Sequence, residues 1–330
     1  MSIMYYDEKM KISVVIASYN GERFIEEQIN TIIQQTVPVD EIIISDDGST
    51  DRTLAILRSY NDSRIRILTD NPNHGYCGNF SYAMQHATGD IIFLADQDDI
   101  WMENRVERVR DIFEKQKDAA LVISNGKRID AEGKRINVPF LKHLSEPTGK
   151  LHKDKYLGLS VYGIANGMCL CLRRSFAQEI VPFPDSSILH DVWICFCGLN
   201  RDAAYFVNEE LVGYRIHDTN TSMRQNIGIL NRIKRNVRIV AKQPKDLFIL
   251  TKAMLEDMEK HKPVHVETYN QLQSLSKSYE MQIAAMNMTP VCGVSKLVKQ
   301  FFLDNHYRSN GMKYLIMQIL VIVFGRAYIP

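Results

Sequence analysis

Four short stretches of this 330-residue chain hold side chains whose types and spacing suit chemistry. Asp96-Gln97-Asp98-Asp99 sets three carboxylates directly after the apolar run IIFLA. Ionised carboxylates at the end of a buried strand are costly unless solvated or paired. A D-x-D spacing suits a hard divalent ion, Mn2+ or Mg2+, that keeps some of its water and also grips a diphosphate. The same residues suit a helix N-terminus, since Asp99 precedes Ile100-Trp101, and the spacing alone leaves both readings open. In Asp46-Asp47-Gly48-Ser49-Thr50-Asp51, a turn at Gly48 and a helix cap at Ser49 or Thr50 account for the later residues. The two adjacent carboxylates are left over, and Asp47 can accept the imide N–H of a uracil or thymine base. Asp191, in LHDVW, can take a proton from a hydroxyl group or cap a helix starting at Val192. His217, in YRIHDTNTS, can ligate a metal, bind a diphosphate, or hydrogen-bond backbone as a loop histidine. Arg215 can contact phosphate or stand exposed on a strand.

Elements that would hold these residues can be read from periodicity. Lys11–Ala17 is a β-branched run ending in the turn sequence Ser18-Tyr19-Asn20-Gly21. Phe24, Ile25, Ile29, Ile32 and Ile33 recur at helical spacing, Pro38 ends that stretch, and Glu41–Ser45 is a second strand. Helix over Thr50–Tyr60, strand at Ile65–Leu68, helix over Gly78–Ala87 and strand at Asp90–Ala95 continue the alternation. Such a pattern predicts an α/β fold with a mostly parallel sheet covered by helices on both faces. Ligands of these sheets lie at the carboxyl ends of the strands. Ser18-Tyr19-Asn20, Asp46-Asp47 and Asp96–Asp99 all fall at such ends. From 121 to about 220 the pattern turns to strands such as Met168–Leu172 and Leu211–Ile216, with loops and a helix near Asp191. Residues 221–330 read as a helical extension.

Forty Lys and Arg against 39 Asp and Glu give a formal charge of +1, which argues against nucleic acid as a partner. The six cysteines form no C-x-x-C pair and read as buried thiols of a reducing compartment. The first residues lack the features of a signal peptide, so a cytoplasmic location is expected. The first turn, SYNGERF, lacks G-x-G-x-x-G, which excludes a dinucleotide-binding dehydrogenase.

Taken in order, VVIASYNGERFIEEQINTIIQQT, EIIISDDGSTDRT and GDIIFLADQDDIW resemble the nucleotide-binding half of family-2 glycosyltransferases, over about residues 10–120. A weaker likeness runs through NGMCLCLRRS, LHDVW and YRIHDTNTS to bacterial rhamnosyltransferase-like members. The resemblance implies a GT-A fold over 1–220, with an acceptor half at about 121–220, and an inverting transfer from a UDP- or dTDP-sugar, rhamnose among the candidates. By motif, Ala17, Tyr19 and Asn20 would line the nucleotide site, with Tyr19 stacking and Asp47 on the base. Asp96 would face the ribose and donor sugar and approach the metal. Asp98 would ligate Mn2+ or Mg2+ with Asp99 beside it, His217 would be a third metal contact, and Asp191 would be the base. Members commonly carry an acid pair where this chain has His190-Asp191. His74, Gly75 and Asn79 would lie near the donor phosphates. Trp101 and Trp193, each beside a candidate carboxylate, suit core packing better than sugar stacking.

In the extension, Arg232, Lys234, Arg235 and Arg238 alternate with apolar residues in a pattern suited to an anionic membrane surface. Tyr314–Gly325 is apolar but too short to span a bilayer. These features predict peripheral contact with the cytoplasmic face of the inner membrane and a glycan or lipid-linked glycan acceptor in surface polysaccharide synthesis, such as O-antigen or capsule. Packing on the catalytic domain or on a second copy in a homo-oligomer is the alternative for the same faces. A nucleotidyltransferase, which would release pyrophosphate, and a nucleotide-sugar-binding scaffold without catalysis are the competing functions.

Overall fold

The computed structural model describes residues 10–70, 75–138, 140, 151–153, 166–184, 189–218, 229–261, 266–288 and 290–303. The chain divides into two compact units, Met1–Asn220 and Thr221–Pro330.

In the first unit, the alternating pattern folds as expected. Strand β1 (Ile12–Ser18) leads to helix α1 (Ile25–Ile33), whose Ile25, Ile29 and Ile32 are buried. Then come β2 (Glu41–Asp46), α2 (Thr53–Ser59), β3 (Ile65–Leu68), α3 (Gly75–Gln85) and β4 (Ile91–Asp96). Short β5 (Ile100–Trp101), α4 (Arg105–Lys115), β6 (Leu121–Ile129), β7 (Leu151–Lys153), β8 (Leu170–Arg173), α5 (Arg174–Ile180), α6 (His190–Asn200) and β9 (Ala204–Arg215) follow. Helix α3 begins a turn earlier than its periodicity predicts. Helix α2 begins later, at Thr53, because Ser49 is engaged elsewhere. Gly167–Cys169 is a 3-10 turn rather than the start of a strand, so β8 is shorter than Met168–Leu172 predicts.

Among the described residues the sheet runs β3-β2-β1-β4-β8-β6-β9-β5, with β7 also on β9. Strands β1 to β4, β6 and β9 point one way, and β5, β7 and β8 oppose them. Central strands such as IIFLA are apolar throughout because helices cover both faces.

Two features of this sheet shape its carboxyl edge. First, β8 pairs with β4 only at Ile91–Phe93 and with β6 only at Leu121–Ile123. Past those residues the gap between β4 and β6 is taken by the Gly167–Cys169 turn, which packs on both strands. Second, β4 and β5 are four places apart in the strand order, about 19 Å in a flat sheet, yet Asp96 and Ile100 are four residues apart, a reach of at most about 14 Å. The β6-β9-β5 arm therefore curls back toward β4. Register slips on either side of Asn125, where β6 meets β9, supply the bend, and Asn125 bonds Asn208 across it at 2.8 Å.

The second unit contains α7 (Ile229–His261), α8 (Val266–Met286) and α9 (Pro290–Leu303), with Leu250, Met254, Met258, Leu272, Leu275 and Leu297 among its buried residues. Gln300 donates to the Ser278 carbonyl at 2.9 Å. No helix of the described residues is long and apolar enough to cross a membrane. Arg232, Lys234, Arg235 and Arg238 lie on α7, where only the backbone is described, and Tyr314–Gly325 lies outside the described residues.

Alignment of β4 on β1 depends on close packing at Gly89. A Cβ there would lie 2.5 Å from the Ser13 hydroxyl and 2.7 Å from the Ser13 backbone nitrogen. Gly89→Ala is expected to lower stability by about 1–3 kcal/mol, the usual cost of forcing a methyl group into packed structure. Urea denaturation would measure it, and an unchanged midpoint would refute this packing.

Candidate active site

Parallel pairing puts Ala17 beside Ser45 and Asp96, and Ser18 beside Asp46, so the polar ends of β1, β2 and β4 share one edge. Asp46 and Asp47, adjacent in sequence, have different surroundings. Asp46 is buried and accepts hydrogen bonds from the Ser18 hydroxyl (2.8 Å), the Gly48 and Ser49 amides (3.2 and 2.8 Å) and the Ser49 hydroxyl (2.6 Å). It builds the turn, with Gly48 at φ 89°. Ser49 is thereby taken from the capping role expected of it. Asp51 instead accepts from the Thr53 amide at 2.9 Å, at the start of α2. Asp47, half-buried, accepts from the Gly75 amide at 3.0 Å, which links the β2 end to the start of α3.

Tyr19 is exposed, and its backbone is held on both sides by Gln97. The Tyr19 amide donates to Gln97 Oε1 at 2.9 Å, and Gln97 Nε2 donates to the Tyr19 carbonyl at 3.0 Å. Asn20 takes the left-handed region (φ 47°), which asparagine tolerates. Its side chain accepts from the Thr50 amide and its own amide donates to Ser49 Oγ, both at 2.8 Å. Asn20 thus stitches the β1 loop to the β2 loop. Asn79 lies beneath, donating to the Ser45 carbonyl at 2.8 Å. His74 and Asn71–Asn73 lie outside the described residues.

The Asp96–Asp99 segment concentrates negative charge. Burial, with Asp98 and Asp191 close by, pushes the Asp96 carboxyl up to about 7. Asp98 is met by His217, whose Nε2 lies 2.9 Å from Oδ2. Asp99 is fully buried and held well above the usual carboxylate range by desolvation, Asp98 and Asp96. It accepts from the Arg215 amide at 2.9 Å through Oδ1, while Oδ2 has no hydrogen-bond partner among the described residues. Arg105, also fully buried, donates to the Met168 carbonyl at 2.6 Å, with its guanidinium 4.2 Å from the Trp101 ring centre. Desolvation lowers it to about 10. Trp101 and Trp193 are both core residues, Trp193 donating to the Ile180 carbonyl.

Asp191 sits in the first turn of α6, which starts at His190, and accepts from the Val192 amide at 2.8 Å. Burial pushes it up to about 6. His190 is boxed by Phe80 (ring centres 4.5 Å), Tyr76 (5.9 Å) and Phe183 (6.3 Å), and desolvation drives it down to about 3, so it is a neutral imidazole. A Cβ on Gly167 would come 2.5 Å from His190 Nε2, so the 3-10 turn runs against this ring.

Of the residues singled out by sequence, Asp96, Asp98, Asp191 and His217 come together, Asp47 and Tyr19 border them on the neighbouring strand ends, and Asn20 braces the loops. Neither expectation for Arg215 holds: it is buried and engaged with protein groups through its backbone amide and all three guanidinium nitrogens. Five cysteines are buried, but Cys292 is exposed. Sequence reasoning missed Gln97 and Arg105. Arg105 had a signal, because it lies four residues before Val109 on the buried face of α4; Gln97 had none.

The carboxylates and imidazole fit a hard divalent cation in one respect: the crowding that raises Asp96 is what a positive ion would relieve. Among the described residues no three His, Cys, Asp or Glu side chains form a ligand group by themselves. A cation here would complete its shell with water and phosphate oxygens, as Mg2+ does.

The contrast between the two adjacent aspartates is testable. Asp46→Ala removes four hydrogen bonds to a buried charge and is expected to cost about 2–4 kcal/mol, from the usual value of bonds to charged groups. Asp47→Ala is expected to cost less than half as much. Equal losses in chemical denaturation would contradict the division of roles.

A model of Glycosyl transferase family 2 matches residues 13–179, just over half of the chain. The Escherichia coli protein WfgD, a UDP-Glc:alpha-D-GlcNAc-diphosphoundecaprenol beta-1,3-glucosyltransferase, is 35% identical over 96 residues, 29% of this chain and 38% of that one. Staphylococcus aureus TarS 1–349 in complex with UDP-GlcNAc superposes with a TM-score of 0.56 at 14% identity, covering 96% of this chain and 92% of that one. The mannosyltransferase PcManGT of Pyrobaculum calidifontis, in complex with GDP-Man and Mn2+, gives 0.51 at 15% identity, covering 96% and 88%. At those identities the two structures speak for the fold, which is of GT-A type. With the family match running from β1 through the D-x-D segment into α5, the chain belongs to glycosyl transferase family 2.

Proposed function

We propose that this glycosyltransferase is metal-dependent and inverting, and moves a sugar from a UDP or dTDP donor to a polysaccharide or lipid-linked glycan at a membrane surface. One observation carries the catalytic part: Asp96, Asp98 and Asp191, from two distant parts of the sequence, lie close enough for Asp98 and Asp191 both to raise Asp96. In this reading Asp47 and Tyr19 bind the base, Asp47 as acceptor of the imide N–H and Tyr19 by stacking; Ala17 and Asn20 shape the nucleotide site, and Asp96 approaches the ribose. Asp98, Asp96 and His217 would hold Mn2+ or Mg2+, which as a Lewis acid stabilises the negative charge of the leaving diphosphate.

Asp191 supplies the base. The acceptor hydroxyl gives its proton to the Asp191 carboxylate as its oxygen bonds to the anomeric carbon, and the bond to the diphosphate oxygen breaks on the opposite side, which inverts the configuration. The raised Asp191 carboxyl is a better proton acceptor than an ordinary aspartate yet is ionised at neutral pH. His190 does not compete as base, because desolvation in its box lowers it to about 3 and leaves the imidazole a poor proton acceptor. Relatives support the substrate classes: WfgD is named for a diphosphoundecaprenol acceptor and TarS binds UDP-GlcNAc. Rhamnose stays a donor candidate through the sequence resemblance alone. We assign catalysis to residues 1–220, with the acceptor half at about 121–220, and membrane contact to 221–330, from the basic and apolar side chains of that part.

A screen of UDP- and dTDP-sugars for hydrolysis or thermal stabilisation, with Mn2+, Mg2+ or EDTA, tests the reading directly. Donor binding without any hydrolysis or transfer would favour the scaffold function. Asp98→Ala is expected to abolish metal-supported donor binding, and Asp191→Asn to lower turnover with donor affinity kept. Wild-type transfer by Asp191→Asn would remove it as the base. Because the ionised form is the active one, kcat/KM should fall as pH drops below about 6, where Asp191 takes up its proton.

Deleting Lys313–Pro330 is expected to release the protein from the membrane fraction of cells. Undiminished membrane recovery would sink the anchoring role.

A further inference from the structure

Arg215 holds the D-x-D segment at two points. Its Nε donates to the Asp98 carbonyl at 2.8 Å and its backbone amide to Asp99 Oδ1 at 2.9 Å. Its remaining nitrogens donate to the Ala131 carbonyl at 2.8 Å and to Glu27 Oε2 on α1 at 2.6 Å. Two residues on, His217 grips the Asp98 carboxylate, and one ring, Phe24, packs against both the Arg215 guanidinium and the His217 imidazole, each at 4.7 Å. The backbone and the side chain of Asp98 are thus both fixed from the end of β9.

We propose that Arg215, backed by Glu27, is a positioning residue that orients Asp98 for the divalent cation. The inference rests on the metal site described above and assigns no ligand role to either residue. A guanidinium that is 1% exposed needs an opposing charge, and Glu27, 52% exposed, supplies it from the rim. Loss of Glu27's charge leaves Arg215 without its nearest countercharge and loosens its hold on the Asp98 carbonyl. A lysine at 215 keeps the charge but cannot serve three acceptors in a planar fork. The hydrogen bonds of Arg215 described above go to Asp98, Asp99, Ala131 and Glu27 rather than to Tyr19 or Asn20, so metal affinity and nucleotide affinity should separate.

The test titrates Mn2+ by loss of its free-ion EPR signal, with saturating UDP or dTDP, in wild type, Arg215→Lys, Glu27→Gln and Glu209→Gln. Glu209 pairs with Arg108 at 2.7 Å and controls for losing an ion pair of the same unit. Nucleotide binding in EDTA is measured alongside, with thermal melting to establish folding. Arg215→Lys and Glu27→Gln are expected to weaken Mn2+ binding by about 10-fold or more, the usual effect of removing a metal ligand's supporting partner, with nucleotide binding in EDTA unchanged. Glu209→Gln should match wild type. Glu27, being half-exposed, keeps the test open should Arg215→Lys fail to fold. Wild-type Mn2+ affinity in folded Glu27→Gln, or equal loss of Mn2+ and nucleotide affinity, would overturn the positioning role alone. A wild-type protein that takes up no Mn2+ with either nucleotide would remove the metal site, and this inference with it.

Discussion

Three residues, Gln97, Asp98 and Asp99, have to join a central strand to one at the far end of the strand order. No flat sheet can be bridged by so short a link, and the rest of the catalytic unit follows from that shortage of chain. The β6–β9 arm curls, the register slips near Asn125 give it a place to bend, and the end of β9 is delivered to the carboxylates. Arg215 and His217 then meet Asp98 and Asp99 across more than a hundred residues of sequence. The segment that gathers negative charge is also the splice that closes the sheet, so its geometry is set by the whole unit rather than by a local turn.

Charge is balanced unevenly along this edge. Asp46 is satisfied by four donors and acts as a turn-builder. Asp99 is buried with one oxygen bonded and the Arg105 charge nearby, without a direct ion pair among the described residues. Asp96 is raised by burial, with Asp98 and Asp191 adding to it. In the metal-dependent reading proposed above, a bound cation would relieve this crowding. Next to Asp191, itself raised by burial, His190 is kept neutral by desolvation within its box of aromatic rings.

Much of this was legible from residues alone. Buried parallel strands declare themselves as apolar runs, and turn chemistry marks where they end, so β1 to β4 and the polar clusters at their carboxyl ends could be read directly. Asp47 was singled out for the base, but the turn-building role of Asp46 was not legible, because its turning inward depends on Ser18 and Ser49 as donors. Arg215 was opaque for a related reason. A charged residue at a strand end reads as exposed unless one knows that Glu27, Ala131, Asp98 and Phe24 converge on it, and those contacts span the catalytic unit. The strand expected from Met168 yielded to a 3-10 turn because that turn has to fill the space where β4 and β6 part.

Gln97 gives the motif a different meaning from its usual spelling. Its amide holds the Tyr19 backbone by both ends, and Gly21 leaves it room, since a Cβ at 21 would lie 2.3 Å from Gln97 Oε1. The letter written as a wildcard in D-x-D is here a two-handed lock on the loop that would cradle the base. In this chain positions 21 and 97 should therefore drift only as a pair, and a family alignment that scores the middle residue as neutral would overlook the tie between the acidic segment and the nucleoside loop.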